Sequence, residues 1–234
     1  MDILCLNETK IDATTLDKSN ETSFIPKDYH HYWNCCKSRG GYAGTAIISR
    51  IKPLSVVHDI GISKHDQEGR TLTVEYEKFF LVACYVPNAG QKLDRLSYRT
   101  KEWDVDFRAY LNKLKAKKPT ILTGDLNVAY QDIDVYDVKK CKKLAGCTPE
   151  EKAEFGKLLA DGWTDSFRDL HPEAKEFSYF SARSDSKATN SGMRLDYFVV
   201  SNNGMKAVTG SNIEGKVQGS DHQPIELLLD LSKF

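Results

Sequence analysis

The 234-residue sequence has no net charge, with 33 Lys and Arg against 33 Asp and Glu. That balance argues against a polyanion binder held by bulk charge, although a local basic face offset by acidic clusters remains compatible with it. It also has no C-x-x-C pair: of its six cysteines, Cys5, Cys35, Cys36, Cys84, Cys141 and Cys147, two are adjacent. A zinc site and a disulfide framework are both disfavoured. Cys5 and Cys84 lie in apolar segments and read as small buried hydrophobes, which points to a reducing compartment. The longest apolar runs, such as Phe79 to Tyr85, are strand-length, and nothing has the form of a signal peptide. A soluble intracellular protein with no membrane span is expected. No linker, charge block or internal repeat divides the chain. With 40% hydrophobic and 10% aromatic residues, one domain over residues 1–234 with a sizeable core is expected.

What is present centres on Thr120-Ile121-Leu122-Thr123-Gly124-Asp125-Leu126-Asn127-Val128-Ala129, an apolar strand running into an Asp and an Asn two residues apart. Side chains alternate along a strand, so Asp125 and Asn127 are expected on one side and Leu126 in the core. Gly124 suits a point where the backbone bends or a ligand comes close. A carboxylate beside a neutral amide suits a hydrated phosphate and a hard cation. The Asp takes a proton or binds metal, and the Asn amide donates to a phosphoryl oxygen. For an isolated D-x-N the plainer reading, two side chains capping their own backbone in a turn, is favoured.

Other segments bear on that choice. Ile3 to Leu6 reads as a buried strand ending at Asn7-Glu8-Thr9-Lys10, with Glu8 either a ligand or a solvated charge. Residues 11–32 are polar and read as a surface loop. Gly40-Gly41-Tyr42-Ala43-Gly44 reads as a turn entering a strand, since neither G-K-[ST] nor a helix follows. Arg70 to Tyr76 and Lys78 to Val86 predict an antiparallel hairpin that Pro87 stops, leaving Tyr85 and Asn88 at its tip. Leu96 to Lys117 has helical apolar spacing and a basic end that complements a helix dipole. A lysine-bearing loop, Tyr130 to Gly146, follows the central strand. Thr148-Pro149-Glu150-Glu151 then forms a capping-box start to a helix reaching about Ala160. In the last third, Met193 to Ser201 and Ile225 to Leu229 read as strands. Asp196 inside an apolar strand needs a partner, and Asp221-His222 offers an imidazole for a dyad.

Taken in order, L-N-E-T-K at 6–10, G-G-Y-A-G-T-A at 40–46, Y-V-P-N-A-G at 85–90, G-D-L-N-V-A at 124–129, A-G-C-T-P-E-E at 145–151, R-L-D-Y-F at 194–198 and G-S-D-H at 219–222 resemble the exonuclease III type of AP endonuclease. This is a branch of the endonuclease/exonuclease/phosphatase superfamily, and the resemblance covers essentially the whole chain. D-x-N and S-D-H alone would also fit phosphatases, DNase I-like enzymes or retrotransposon endonucleases; Y-V-P-N-A-G and the Thr-Pro-Glu-Glu helix point to the AP endonuclease branch.

The resemblance implies an α+β fold, a four-layer α/β-sandwich of two packed, mainly antiparallel sheets flanked by helices (DNase I-like). It implies a DNA repair nuclease that cuts the phosphodiester 5' to an abasic site in double-stranded DNA, with accompanying 3'-5' exonuclease or 3'-phosphodiesterase activity. The cofactor implied is Mg2+, with Mn2+ as a substitute. A monomer is implied, in the nucleus or, for other sources, a mitochondrion or bacterial cytoplasm. By the same resemblance Glu8, Asp125, Asn127, Asp221 and His222 form the metal set. Asp125 activates the attacking water, Asn127 holds a phosphoryl oxygen, Tyr85 contacts the phosphate, and His222 stands at the scissile phosphate oriented by Asp196. Asn88 and Arg95 contact the DNA backbone. Phe180, Met193 and Leu195 receive the flipped-out abasic sugar.

The family pattern also includes a strand before the one at Ile3, so the sequence reads as N-terminally truncated relative to the family, and two rows of unpaired backbone groups are expected. Gln91 stands where a basic residue is common, and Met193 where an aromatic is common. Two other readings are a different phosphoesterase of the superfamily and a catalytically impaired DNA-binding relic.

Overall fold

The computed structural model describes residues 1–18, 22–182, 185–217 and 219–234. Its strands are β1 (Ile3–Asn7), β2 (His30–Asn34), β3 (Thr45–Ser49), β4 (Ser55–His58), β5 (Thr71–Glu75), β6 (Phe80–Cys84), β7 (Thr120–Asp125), β8 (Trp163–Asp165), β9 (Asp196–Ser201), β10 (Val208–Ile213) and β11 (Ile225–Leu229). Its helices are α1 (Ala13–Lys18), α2 (Leu96–Tyr98), α3 (Asp104–Lys115), α4 (Val138–Cys141), α5 (Pro149–Ala160) and α6 (Ser166–Leu170), with a π-helical turn at Arg99–Trp103. No helix among the described residues is long and apolar enough to cross a membrane.

A six-stranded sheet in the order β4-β5-β6-β7-β9-β8 forms the centre. Its middle strands are apolar on both faces, and both faces are covered. On one side Leu122 and Val82 meet Trp103, Phe107, Phe155 and Leu158 from the helices. On the other, Leu72, Leu81 and Ile121 meet Ile47 and the inner side chains of β1 and β11. The second layer consists of two smaller sheets, β1-β3-β2 and β10-β11. Among the described residues β1 pairs only with β3 and β11 only with β10, so each has an open edge.

The predicted hairpin is β5–β6, in register Thr71↔Cys84 to Glu75↔Phe80. The expected capping box starts α5: Thr148 Oγ1 accepts from Glu151 N at 3.3 Å, and Glu151 Oε2 accepts from Thr148 N at 3.2 Å and Gly146 N at 2.8 Å. Three expectations need correction. Residues 11–32 are not all loop, because α1 and the start of β2 lie within them. The helix expected over residues 96–117 is interrupted by the π turn and ends at Lys115. Asp196 opens β9 rather than sitting inside it. The unpredicted strands β2, β4, β8 and β10 are all sheet edges, where pairing is one-sided and the apolar signal is weak.

Candidate active site

Strand direction gathers the site. β6 and β7 are the one parallel pair in the central sheet, and β9 runs antiparallel to β7. The C-terminal ends of β6 and β7 and the N-terminal end of β9 therefore share one edge of the sheet. Tyr85 follows β6, Asp125 ends β7, and Asp196 faces Asp125 directly in the β7–β9 register. β1 packs across β6 and β7 and brings Glu8 to the same end.

Gly124 makes this crossing possible. Its φ is +128°, and a Cβ there would stand 2.1 Å from the Cys84 carbonyl oxygen and 2.6 Å from Asn7 Nδ2. No other residue tolerates that approach. Asn7 donates through Nδ2 to the Cys84 carbonyl at 3.2 Å, bracing β1 against β6. Sequence reading passed over Asn7, and the only local signal for it was a polar residue closing an apolar strand.

Past Asp125 the chain turns sharply, with Asn127 at φ +49°. Asp125 accepts from Asn127 N at 2.8 Å and from Asn127 Nδ2 at 3.1 Å. The same amide donates to the Val86 carbonyl at 2.9 Å, and its oxygen accepts from Asn88 Nδ2 at 2.7 Å. The turn reading holds, and the contacts that cap the backbone also orient the carboxylate.

His222 arrives from the loop before β11. Gln223 N donates to Ser178 O at 2.6 Å and Phe180 N to Asp221 O at 2.8 Å, while Ser178 Oγ accepts from Leu195 N and Asp196 N. Ser178 thereby ties the His222 loop to the start of β9. His222 Nδ1 lies 2.8 Å from Asp196 Oδ2, so the carboxylate anticipated to need a partner has one, and Nε2 is left to face the mouth.

The charges at this mouth act on one another. Burial and then the Asp196 charge push the Asp125 carboxyl up to about 7. Burial disfavours the His222 imidazolium, but Asp196, Asp125 and Asp221 prevail and raise it to about 10. Burial and the charges of Asp125 and Glu8 push the Tyr85 phenol well above its ordinary value, so it stays a donor. Burial opposes ionisation of Glu8, yet hydrogen bonds from Lys10 and Tyr85 hold it below the usual carboxylate range. Asp196→Asn removes the main support of the imidazolium. The His222 pKa, read by NMR titration of its ring protons, should fall from about 10 by at least about one unit.

The five residues expected to form the metal set, Glu8, Asp125, Asn127, Asp221 and His222, stand in different surroundings. Asn127 has both amide hydrogens and its oxygen engaged within the protein, which makes it a strut between loops. Among the described residues no group of three His, Cys, Asp or Glu is placed to hold a metal ion. Asp221 is exposed, and His222 is committed to Asp196 through Nδ1. Glu8 is half-buried and paired with Lys10 at 2.8 Å, and Asp125 is buried at the end of β7. Mg2+ is commonly held by one or two carboxylates with water and substrate phosphate completing its shell. The surplus of negative charge that lifts Asp125 suits a hard cation at this mouth.

The apolar floor also differs. Tyr179 bridges to both Met193 and His222, and its ring lies 4.9 Å from the imidazole. Met193, Leu195 and Tyr179 form a cluster with Cys147 and Val135. Phe180 instead turns away, edge-on to Phe177 at 6.3 Å and beside Gly192. Backbone alternation explains the swap, since adjacent residues in an extended segment face opposite sides. Asn88 and Arg95 sit at the rim. Asn88 braces Asn127, and Arg95 bonds Tyr42 Oη at 3.2 Å and Glu68 at 3.3 Å. Tyr42 was read only as part of a turn. It also accepts from Arg70 Nη2 at 2.8 Å and lies under the Arg39 guanidinium at 3.7 Å, so three arginines converge on one ring.

The chain matches the model of the Endonuclease/Exonuclease/phosphatase family over residues 1–222. It is 46% identical over 229 residues to the DNA repair nuclease APEX1 of Danio rerio, covering 97% of this chain and 73% of that protein. It is 45% identical over 235 residues to a DNA-(apurinic or apyrimidinic site) endonuclease of Dictyostelium discoideum, covering 99% of this chain and 63% of the relative. Among solved structures, the AP endonuclease LMAP of Leishmania major superposes with a TM-score of 0.87 at 29% identity, over 97% of this chain and 77% of the other. The fold, the site at the shared strand ends and these likenesses agree: the chain belongs to the endonuclease/exonuclease/phosphatase family.

Proposed function

We propose that this chain is a DNA repair nuclease that uses a divalent cation to hydrolyse the phosphodiester 5' to an abasic site in duplex DNA. The observation that carries this reading is the position of an apolar floor, Tyr179, Met193 and Leu195, directly beside the His222–Asp196 pair. A sugar without its base, flipped from a duplex that gives it no pairing partner, fits against that floor.

The residues divide the work by charge. Asp125, with a pKa of about 7, is poised to take a proton from the attacking water. His222, an imidazolium below about 10, and the protonated Tyr85 donate hydrogen bonds to phosphoryl oxygen as its charge grows. Glu8 would hold Mg2+, which when bound neutralises charge on the phosphoryl and leaving oxygens. Asn127 and Asn88 keep the two catalytic loops in register.

The test is incubation of the purified chain with Mg2+ and a duplex carrying one abasic site, alongside an undamaged duplex, a mononucleotide and a phosphoinositide. Incision confined to the abasic strand, 5' to the lesion, is expected. Hydrolysis of a small phosphoester alone would assign the chain to another phosphoesterase activity, and binding without Mg2+-dependent cleavage would leave a DNA-binding relic. Glu8→Ala should move the midpoint of the Mg2+ titration up by at least about tenfold, and an unchanged midpoint would remove Glu8 from the ligands.

A further inference from the structure

Arg99 lies outside the mouth, behind Leu126, and sequence reading gave it no part. Its side chain is buried at 3% exposure, yet it is fully partnered. Nη1 donates to the Pro87 carbonyl at 2.9 Å and the Asn127 carbonyl at 3.4 Å, and Nη2 to the Leu126 carbonyl at 2.8 Å. Nε donates to both oxygens of Asp104 at 2.9 and 3.0 Å. Pro87 belongs to the loop that carries Tyr85 and Asn88. Leu126 and Asn127 belong to the loop that carries Asp125. One planar guanidinium thus spans both catalytic loops from behind, and a helix carboxylate anchors it.

The π turn at Arg99–Trp103 is what allows that anchor. Residues five apart on an α-helix point roughly 140° away from each other. One i→i+5 turn, closed here by Asp104 N donating to Arg99 O, brings them to the same side. The widened turn converts a plain amphipathic helix into a mount for an Arg–Asp pair. A small cavity of about 30 Å³ adjoins the pair, lined by Arg99, Asp104, Leu126 and Val86 together with Phe107 and Phe155. Apolar packing supports Val86 and Leu126, and the Arg99 hydrogen bonds add a directional link between the two loops.

We propose that Arg99, held by Asp104 through the π turn, is a positioning residue that sets the separation of the Tyr85 loop from the Asp125 loop and so the alignment of donor and base at the phosphate. The inference rests on the nuclease reading for its kinetic consequence, but not for its structural one. A lysine at this position keeps the charge but lacks the planar fork, and it cannot reach Pro87, Leu126 and Asp104 together.

The experiment compares the wild-type chain with Arg99→Lys and Asp104→Asn in two measurements. Hydrogen exchange is followed at the Val86 amide, which joins the loops by bonding the Asp125 carbonyl, and at the Asn127 amide, which closes the Asp125 loop on its own carboxylate. It should be at least about tenfold faster in both variants while the amides of β5 and β9 keep wild-type protection. On the abasic duplex, kcat of folded Arg99→Lys should fall about a hundredfold with KM within about threefold. In Arg99→Ala, methylguanidinium should restore part of kcat. Unchanged exchange at Val86 and Asn127, kcat within threefold of wild type, or activity loss that only tracks the unfolded fraction across the variants would each overturn the assignment. A wild-type chain that leaves abasic duplex intact would instead refute the nuclease reading, and the exchange comparison would still decide the role of Arg99.

Discussion

Asp125→Asn abolishes cleavage, with kcat on an abasic duplex falling by at least about 10³-fold while affinity for that duplex changes less than about threefold. On the proposed mechanism the substitution removes a general base, an effect typically of about 10² to 10⁴, and also a charge that supports the His222 imidazolium. One side-chain oxygen survives to accept from Asn127 N, which keeps the backbone part of the turn, while the bond from Asn127 Nδ2 to the second oxygen is lost. Single-turnover cleavage and equilibrium binding measured side by side check this, and turnover within tenfold of wild type would remove Asp125 as the base. The same variant alters stability. The Asp125 carboxyl rises from 3.8 to about 7 on folding, so between those values the native state binds the extra proton and stability falls as pH rises. His222 is raised from 6.5 to about 10. Its contribution is complete below about 6.5 and is lost as pH climbs through about 10. Both groups therefore weaken the metal-free fold toward alkaline pH, and Asp125→Asn should flatten the portion between pH 4 and 7 in a series of thermal melts.

Asp134→Ala should be the most destabilising single change, costing about 3–5 kcal/mol in urea unfolding. Asp134 is wholly buried and serves two arginines, Arg168 at 2.6 Å and Arg194 at 2.8 and 3.1 Å. Arg194 also forks onto Asp165 at 2.6 and 3.1 Å. Removing Asp134 leaves two buried guanidiniums to one carboxylate. An exposed pair such as Lys64–Glu102 contributes under about 1 kcal/mol and serves as the control. Arg194 lies between Met193 and Leu195, and its backbone N donates to Asp134 O at 2.9 Å. The network therefore fixes the apolar floor, and KM for abasic duplex should rise in whatever fraction stays folded. A loss below 1 kcal/mol would mean that the site closes without it.

Much of this molecule is legible wherever a signal stays within one segment. The alternation of Arg70 to Val86 gave the β5–β6 hairpin, and Thr148 with Glu151 gave the start of α5. The apolar run into Asp125 gave the strand that carries the site, and the need of Asp196 for a partner pointed to His222. Tyr179 was missed because two adjacent aromatics differ only in which side of an extended segment they face. Arg99 was missed because helical periodicity does not register a π turn.

The sequence by itself determined the interior strands, the capped helix and the set of polar residues that end those strands, because burial and backbone satisfaction are decided over a few neighbouring positions. Only the tertiary structure decided that Asp125 stands opposite Asp196, that the Asn127 amide is spent on the neighbouring loop and that three arginines meet at Tyr42. Those arrangements depend on the parallel β6–β7 and antiparallel β7–β9 registers and on contacts between residues far apart in the chain. Such registers are set by the packing of whole layers against one another, and local patterns carry no record of them.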